Sequence, residues 1–179
     1  MKNLVPPLIL FFLIFIFPGD VIAQSNDQKE LITDVQNAKA ALIQKEPGLS
    51  RIFATAEGYV IFPNVGKGAY VVGGAAGNGL VYENGYLVGI AKLRQIDIGI
   101  QVGGQAFRQV IFFNTETALK RFKEGNYELA ANASAVVLED GRAKSVEFRE
   151  DIAVVTMPKA GAMVEISVGG QKFEYEDLR

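Results

Sequence analysis

The chemistry open to this chain is limited by the side chains it lacks. It contains no histidine and no cysteine, which excludes histidine-based triads, imidazole metal sites and thiolate zinc sites. No serine lies in a Gly-x-Ser-x-Gly nucleophile elbow. The acidic pairs Glu139-Asp140 and Glu150-Asp151 remain, but neighbours on an extended strand point to opposite faces, so solvated turns are the better interpretation. We therefore expect no catalytic residue, no metal and no cofactor.

One short motif has the residue types to bind phosphate. Lys67 lies between Gly66 and Gly68, and backbone N–H groups exposed at glycines can surround a single phosphate group. The spacing of a nucleotide-binding phosphate loop is missing, so a nucleotide is not expected. The alternative interpretation is a tight turn with a solvent-facing lysine.

Positive charge is concentrated in the same part of the chain. Residues 51 to 112 carry five basic and three acidic side chains, whereas the chain beyond residue 112 carries nine basic and twelve acidic ones. The whole chain has a net charge of −2, which argues against a nucleic-acid partner. Scattered charges also form ordinary solvated surfaces. The candidate headgroup-binding residues are Lys67, Gly66, Gly68, Lys92, Arg94 and Arg108.

The N-terminus has the pattern of a secretory signal. Lys2 precedes an apolar run from Leu8 to Phe17, and small residues suit cleavage after Ala23. A retained membrane anchor is the alternative, although the run is about half the length of a spanning helix. Without cysteine, the chain has no site for lipoprotein acylation. We expect residues 24–179 to be secreted or periplasmic, free or peripheral on a membrane.

The mature chain is predicted to be one domain with a helical N-terminal part over residues 24–57. Ser25 to Gln28 has the form of a capping box, and apolar residues follow at helical spacing until Pro47-Gly48. Because the polar face is mixed in charge, we favour packing of this helix on the domain over insertion into a membrane surface. A short second helix is expected from Leu49 to Ala56.

Residues 58–179 are predicted to form a glycine-rich β core. Short β-branched and aromatic runs alternate with glycine, and Asn84-Gly85 between two such runs indicates a hairpin. One helix is inserted near residues 115–124, with Asn114 as its expected cap. The predicted class is α+β, a mainly antiparallel sheet or partly closed barrel flanked by a few helices. Three Val-Gly-Gly sequences, at Val72, Val102 and Val168, indicate glycine where strands bend, bulge or pack closely.

Five segments, in this order, resemble the SYLF lipid-binding domain family: Ala56–Tyr82, Ile98–Gln105, Val110–Phe122, Ala131–Val136 and Lys159–Phe173. The resemblance covers nearly the whole mature chain. It implies non-catalytic binding of phosphoinositides and other anionic lipids and, for eukaryotic members, of actin. Lys67 falls where the family usually has lysine, while Lys92, Arg94 and Arg108 have no such support.

The export signal changes the partners that the resemblance implies. It argues against cytosolic actin, and a simple signal of this kind suggests a bacterial source, where generic anionic phospholipid replaces phosphoinositides. We therefore expect a module that binds anionic phospholipid at a membrane surface. The alternative is an envelope or extracellular scaffolding domain without lipid dependence, and a homo-oligomer is compatible with both.

Overall fold

The computed structural model describes residues 19–66, 74–96, 106–130, 133, 135–138, 146–159 and 168–178. These residues form three helices, α1 (Gly19–Lys45), α2 (Leu49–Thr55) and α3 (Glu116–Lys123). They also form eight strands, β1 (Gly58–Gly66), β2 (Gly74–Glu83), β3 (Tyr86–Ile96), β4 (Ala106–Phe113), β5 (Tyr127–Glu128), β6 (Ala135–Val137), β7 (Ile152–Pro158) and β8 (Lys172–Asp177). Among these helices, none is both long and apolar enough to cross a bilayer.

All eight strands belong to one curled sheet, in the order β5-β8-β3-β2-β1-β4-β7-β6. Neighbouring strands pair antiparallel except β6 and β7, which pair parallel. The predicted α+β class is confirmed. The hairpin between β2 and β3 is also confirmed: Asn84 and Gly85 have φ of 50° and 81°, the conformation that a two-residue turn of this type requires.

The central strands are buried on both faces, which explains their continuous apolar runs. On one face, here called the outer face, residues such as Ile61 and Phe112 pack against α1 and α2. On the opposite, inner face, Phe62 and Phe113 form a second cluster with α3. The Val35, Ala38 and Leu42 side chains of α1 are all buried, so this stripe of the helix packs on the domain, as favoured from its sequence.

Two helix starts differ from the prediction. The α1 helix begins at Gly19, upstream of the capping box expected at Ser25, so the N–H groups there already have acceptors within the helix. The α3 helix is capped by Thr115, whose hydroxyl accepts a hydrogen bond from the Ala118 N–H at 3.3 Å. Asn114 was the wrong choice because it lies one residue upstream of the N-cap position; its backbone N–H donates to the Asp151 carbonyl.

Several predicted features lie outside the described residues. These are the apolar run of the signal, the pair Glu139-Asp140, the first two Val-Gly-Gly sequences apart from Gly74, and the strand expected between Ala162 and Val168 apart from its last residue. Cleavage after Ala23 stays a prediction.

Candidate anion-binding site

The predicted phosphate motif is described only at its first residue. Gly66 ends β1 and lies directly opposite Ala76 on β2 and Ala106 on β4. Lys67 and Gly68 lie outside the described residues, so their role as headgroup ligands stays a prediction.

The three other predicted cations lie on the outer face. Directly paired residues share a face, and so do residues two apart on one strand. Arg94 pairs with Ala76, which pairs with Gly66, and Gly66 pairs with Ala106, two residues before Arg108. Three strand spacings separate β3 from β4, roughly 14 Å. Arg94 and Arg108 therefore share a surface but do not meet at one phosphate.

Two of these cations have acidic neighbours that the sequence analysis missed. Lys92 Nζ lies 3.8 Å from Glu176 Oε2, and Arg94 Nη1 lies 3.8 Å from Glu174 Oε1. Both carboxylates belong to β8. Exposed pairs of this length contribute only about 0–1 kcal/mol, so they leave the cations free to exchange partners.

A cavity of about 500 Å³ opens where β2 begins, β3 ends and β8 begins. Its size suits a small ligand. We call it the strand-end cavity; it is lined by Ala75, Ala76, Arg94, Gln95, Asn126, Glu128, Gly170, Lys172, Phe173 and Glu174.

Lys172 is a second cation of this cavity, and the sequence analysis did not select it. It lies directly opposite Arg94 across β3 and β8 and directly opposite Glu128 across β5 and β8. Its Nζ is 3.7 Å from Glu128 Oε2. Like charges directly opposite each other are unfavourable on their own. The signal was present in the third Val-Gly-Gly sequence, which continues as Gln171-Lys172.

Buried glutamines connect the strands next to the cavity. Gln109 Nε2 donates to Gln171 Oε1 at 2.7 Å, and Gln171 Nε2 donates back to Gln109 Oε1 at 3.2 Å. Gln171 Nε2 also donates to Gln95 Oε1 at 3.1 Å. Gln95 and Gln109 come from β3 and β4, which are separated by two strands in the sheet. The network therefore links distant parts of the curled sheet and holds the cavity's inner side in place.

Among the described residues, no group of acidic side chains could hold a metal ion. Glu150 and Asp151 lie in an exposed turn with φ of 49° and 66°, the solvated turn that was favoured. Desolvation by burial raises the pKa of Tyr82 and of Tyr127, with smaller contributions from neighbouring charged or ionisable groups. Both phenols are therefore neutral at ordinary pH.

Comparison with known proteins gives a family match. Residues 94–177 match a family described as "Ysc84: Las17-binding protein actin regulator". No curated protein matches the chain. The matched segment begins at Arg94 and includes Lys172 and all three buried glutamines. This match over residues 94–177 supports the SYLF domain family that the sequence motifs resemble.

Proposed function

We propose that this chain is a non-catalytic module that binds phospholipid headgroups at anionic membrane surfaces. The observation that carries the proposal is the pair Arg94 and Lys172, which face each other on neighbouring strands at the strand-end cavity. A phosphate between them would take the place of Glu174 and Glu128 as the negative charge next to both cations. The family match is compatible with lipid binding as the general activity.

The outer face carries further cations around this pair, next to the carboxylates of Glu128, Glu174 and Glu176. One row of residues runs across the sheet and has cations near both ends and small residues between them. It consists of Lys172, Arg94, Ala76, Gly66, Ala106 and Lys159. Lys92 and Arg108 lie two residues further along their strands. Attraction from such a row acts over about 10 Å at 0.1 M salt, enough to hold the domain on anionic lipid.

The small residues in the middle of the row favour close approach of a membrane surface. Gly66, Ala76 and Ala106 are partly exposed, and none projects beyond a methyl group. A membrane surface can therefore reach the flanking cations without displacing bulky side chains. Lys159 is held by a hydrogen bond of 3.0 Å from its Nζ to Asn64 Oδ1.

We favour lipid over actin as the partner, because we predict that the chain is exported from the cytoplasm. The description of the matched family names an actin regulator, but the secretory signal that we predict would separate this chain from cytosolic actin. Mass spectrometry of the protein recovered after export should give an N-terminus at Gln24. An N-terminus at residue 1 would contradict cleavage.

Vesicle co-sedimentation tests the proposal. The protein recovered after export should bind vesicles containing anionic lipid at low salt, and added salt should weaken binding. Each basic residue near such a surface contributes about 1 kcal/mol. Replacing Arg94 and Lys172 by glutamine should therefore reduce the partition coefficient by about tenfold or more. Lys67→Glu tests the sequence-predicted ligand in the same assay.

The matched control is Lys120→Gln with Arg121→Gln, which removes two exposed cations from α3. This control should retain binding close to that of the unmodified protein. If both double variants bind equally, the site assignment is wrong. If the unmodified protein ignores anionic vesicles at low salt and light scattering shows a stable oligomer, the scaffolding alternative replaces lipid binding.

A further inference from the structure

Among the described residues that line the strand-end cavity, the charges balance. Arg94 and Lys172 supply two positive charges, and Glu128 and Glu174 supply two negative ones. Each cation has one carboxylate close by: Arg94 has Glu174 at 3.8 Å and Lys172 has Glu128 at 3.7 Å. The described lining therefore presents both signs of charge, with the two cations next to each other.

These internal pairs are weak enough to be replaced by a ligand. The four side chains are 53 to 70% exposed. Both separations are longer than the charge-assisted hydrogen bonds of about 2.7–2.9 Å that such groups form when locked together. The pairs are consequently hydrated, and a ligand can take the place of either partner without breaking a close contact.

The balance of charge determines which phosphate ligand fits. A ligand with negative charge alone would gain Arg94 and Lys172 but would also face Glu128 and Glu174, which repel it. When a ligand with one phosphate and one ammonium binds, its phosphate replaces the carboxylates next to Arg94 and Lys172. Its ammonium replaces the cations next to Glu128 and Glu174. No charge is then left without an opposite neighbour, so a zwitterion is favoured over a simple anion.

The type of ammonium follows from the groups that surround it. A primary ammonium donates hydrogen bonds to carboxylates, which the cavity supplies. A quaternary ammonium donates none and is recognised by aromatic faces. Among the described residues of the cavity the aromatic one is Phe173, which is 1% exposed and packs in the core. A serine headgroup would add a third carboxylate beside the two glutamates.

We propose that the strand-end cavity selects the phosphoethanolamine headgroup of a membrane lipid, with the phosphate on Arg94 and Lys172 and the ammonium on Glu128 and Glu174. The inference rests on the proposed function, since it names the headgroup that the same site takes. General attraction to an anionic surface comes from the whole basic row, whereas the choice of headgroup comes from the cavity.

Soluble headgroups test this choice without a membrane. The full protein as recovered after export is titrated with glycerophosphoethanolamine, glycerophosphocholine and glycerophosphoglycerol, and binding is followed by NMR. We expect the ethanolamine compound to bind about tenfold more tightly than the other two, because it alone pairs with all four charged groups by hydrogen bonds. Equal or tighter binding of the glycerol or choline compound, or no binding of any of the three, would overturn the inference.

Variants assign the ammonium subsite. Replacing Glu128 and Glu174 by glutamine keeps the shape and removes both negative charges, so the ethanolamine preference should disappear and the glycerol compound should bind more tightly. The matched control is Glu176→Gln, since Glu176 pairs with Lys92 and does not line the cavity; it should keep the preference. Because each variant is judged by a ratio of two ligands, a change in folding does not imitate the result. An unchanged ratio in the double variant refutes the assignment.

Vesicles distinguish a lipid from a free headgroup. At constant negative charge, replacing choline lipid by ethanolamine lipid should raise the bound fraction several-fold. If only the soluble compound binds, the lipid assignment is wrong. If anionic vesicles bind but headgroup choice is absent, the inference fails and the proposed function stands; if ethanolamine is selected but anionic vesicles are ignored, the anionic part of the proposed function fails instead.

Discussion

Replacing Gly79 by alanine should destabilise the domain, although alanine is normally the better residue in a folded chain. A Cβ atom at this position would lie 2.6 Å from the Ile61 carbonyl oxygen and 2.7 Å from Phe62 Cδ1. The first neighbour is backbone of the paired strand, so it cannot rotate away. Overpacking of this kind costs about 1–3 kcal/mol, and the lower entropy of the unfolded alanine chain offsets about 0.4–1 kcal/mol.

The net loss should be about 1.3 kcal/mol, which lowers the Tm of a domain of this size by roughly 3–5 °C. Thermal denaturation followed by circular dichroism measures it. Gly85→Ala is the matched control, because nothing lies within 4 Å of its Cβ and only the φ of +81° opposes the side chain; its cost should be about 1 kcal/mol. Phe62→Leu should cost less in the Gly79→Ala background than in the unmodified protein, because the two side chains compete for the same space. A Tm for Gly79→Ala equal to or above that of the unmodified protein would refute the close-packing argument.

Three further outcomes concern buried polar groups and can be read from urea midpoints. Gln171→Leu removes both amide hydrogen bonds of Gln109 to Gln171 in the core and should cost about 2 kcal/mol; an unchanged midpoint would show that the network adds nothing. Thr156→Val should be neutral or stabilising by up to about 1 kcal/mol, because the Thr156 hydroxyl is buried without a hydrogen-bond partner among the described residues; a clear loss would indicate a missed partner. Since the folded pKa of Tyr82 and Tyr127 is raised, the unfolded chain ionises first, and stability should fall as pH rises above about 10. Phenylalanine at both positions should flatten that decline, and an identical decline would contradict it.

Local sequence patterns predicted helices, strands and turns, but they did not predict which strands pair. The Asn84-Gly85 turn could be predicted because only a few residue types accept positive φ at two successive positions. The position of β8 beside β3 could not be predicted, since these strands pair across nearly eighty residues of chain. Such pairing is decided by burial over the whole sheet rather than by any local preference.

The candidate site illustrates the same limit. Arg94 was selected from a local excess of positive charge, but its partner Lys172 and its acidic neighbour Glu174 both come from β8. Without the sheet order, Arg94 and Arg108 are equivalent members of one basic segment. The register separates them: Arg94 lines a cavity, whereas Arg108 lies about three strand spacings away on the same face.

Small residues at the strand ends have different consequences on the two faces of the sheet. On the inner face, Gly79 leaves the space that the Phe62 ring occupies, so the absence of a side chain allows close packing. On the outer face, Gly66, Ala76 and Ala106 are partly exposed between flanking cations. Glycine and alanine thus allow close packing in the core and leave the middle of the outer row without large side chains. A glycine-rich sequence, which by itself indicates only packing, is in this way compatible with the headgroup-binding surface that we propose.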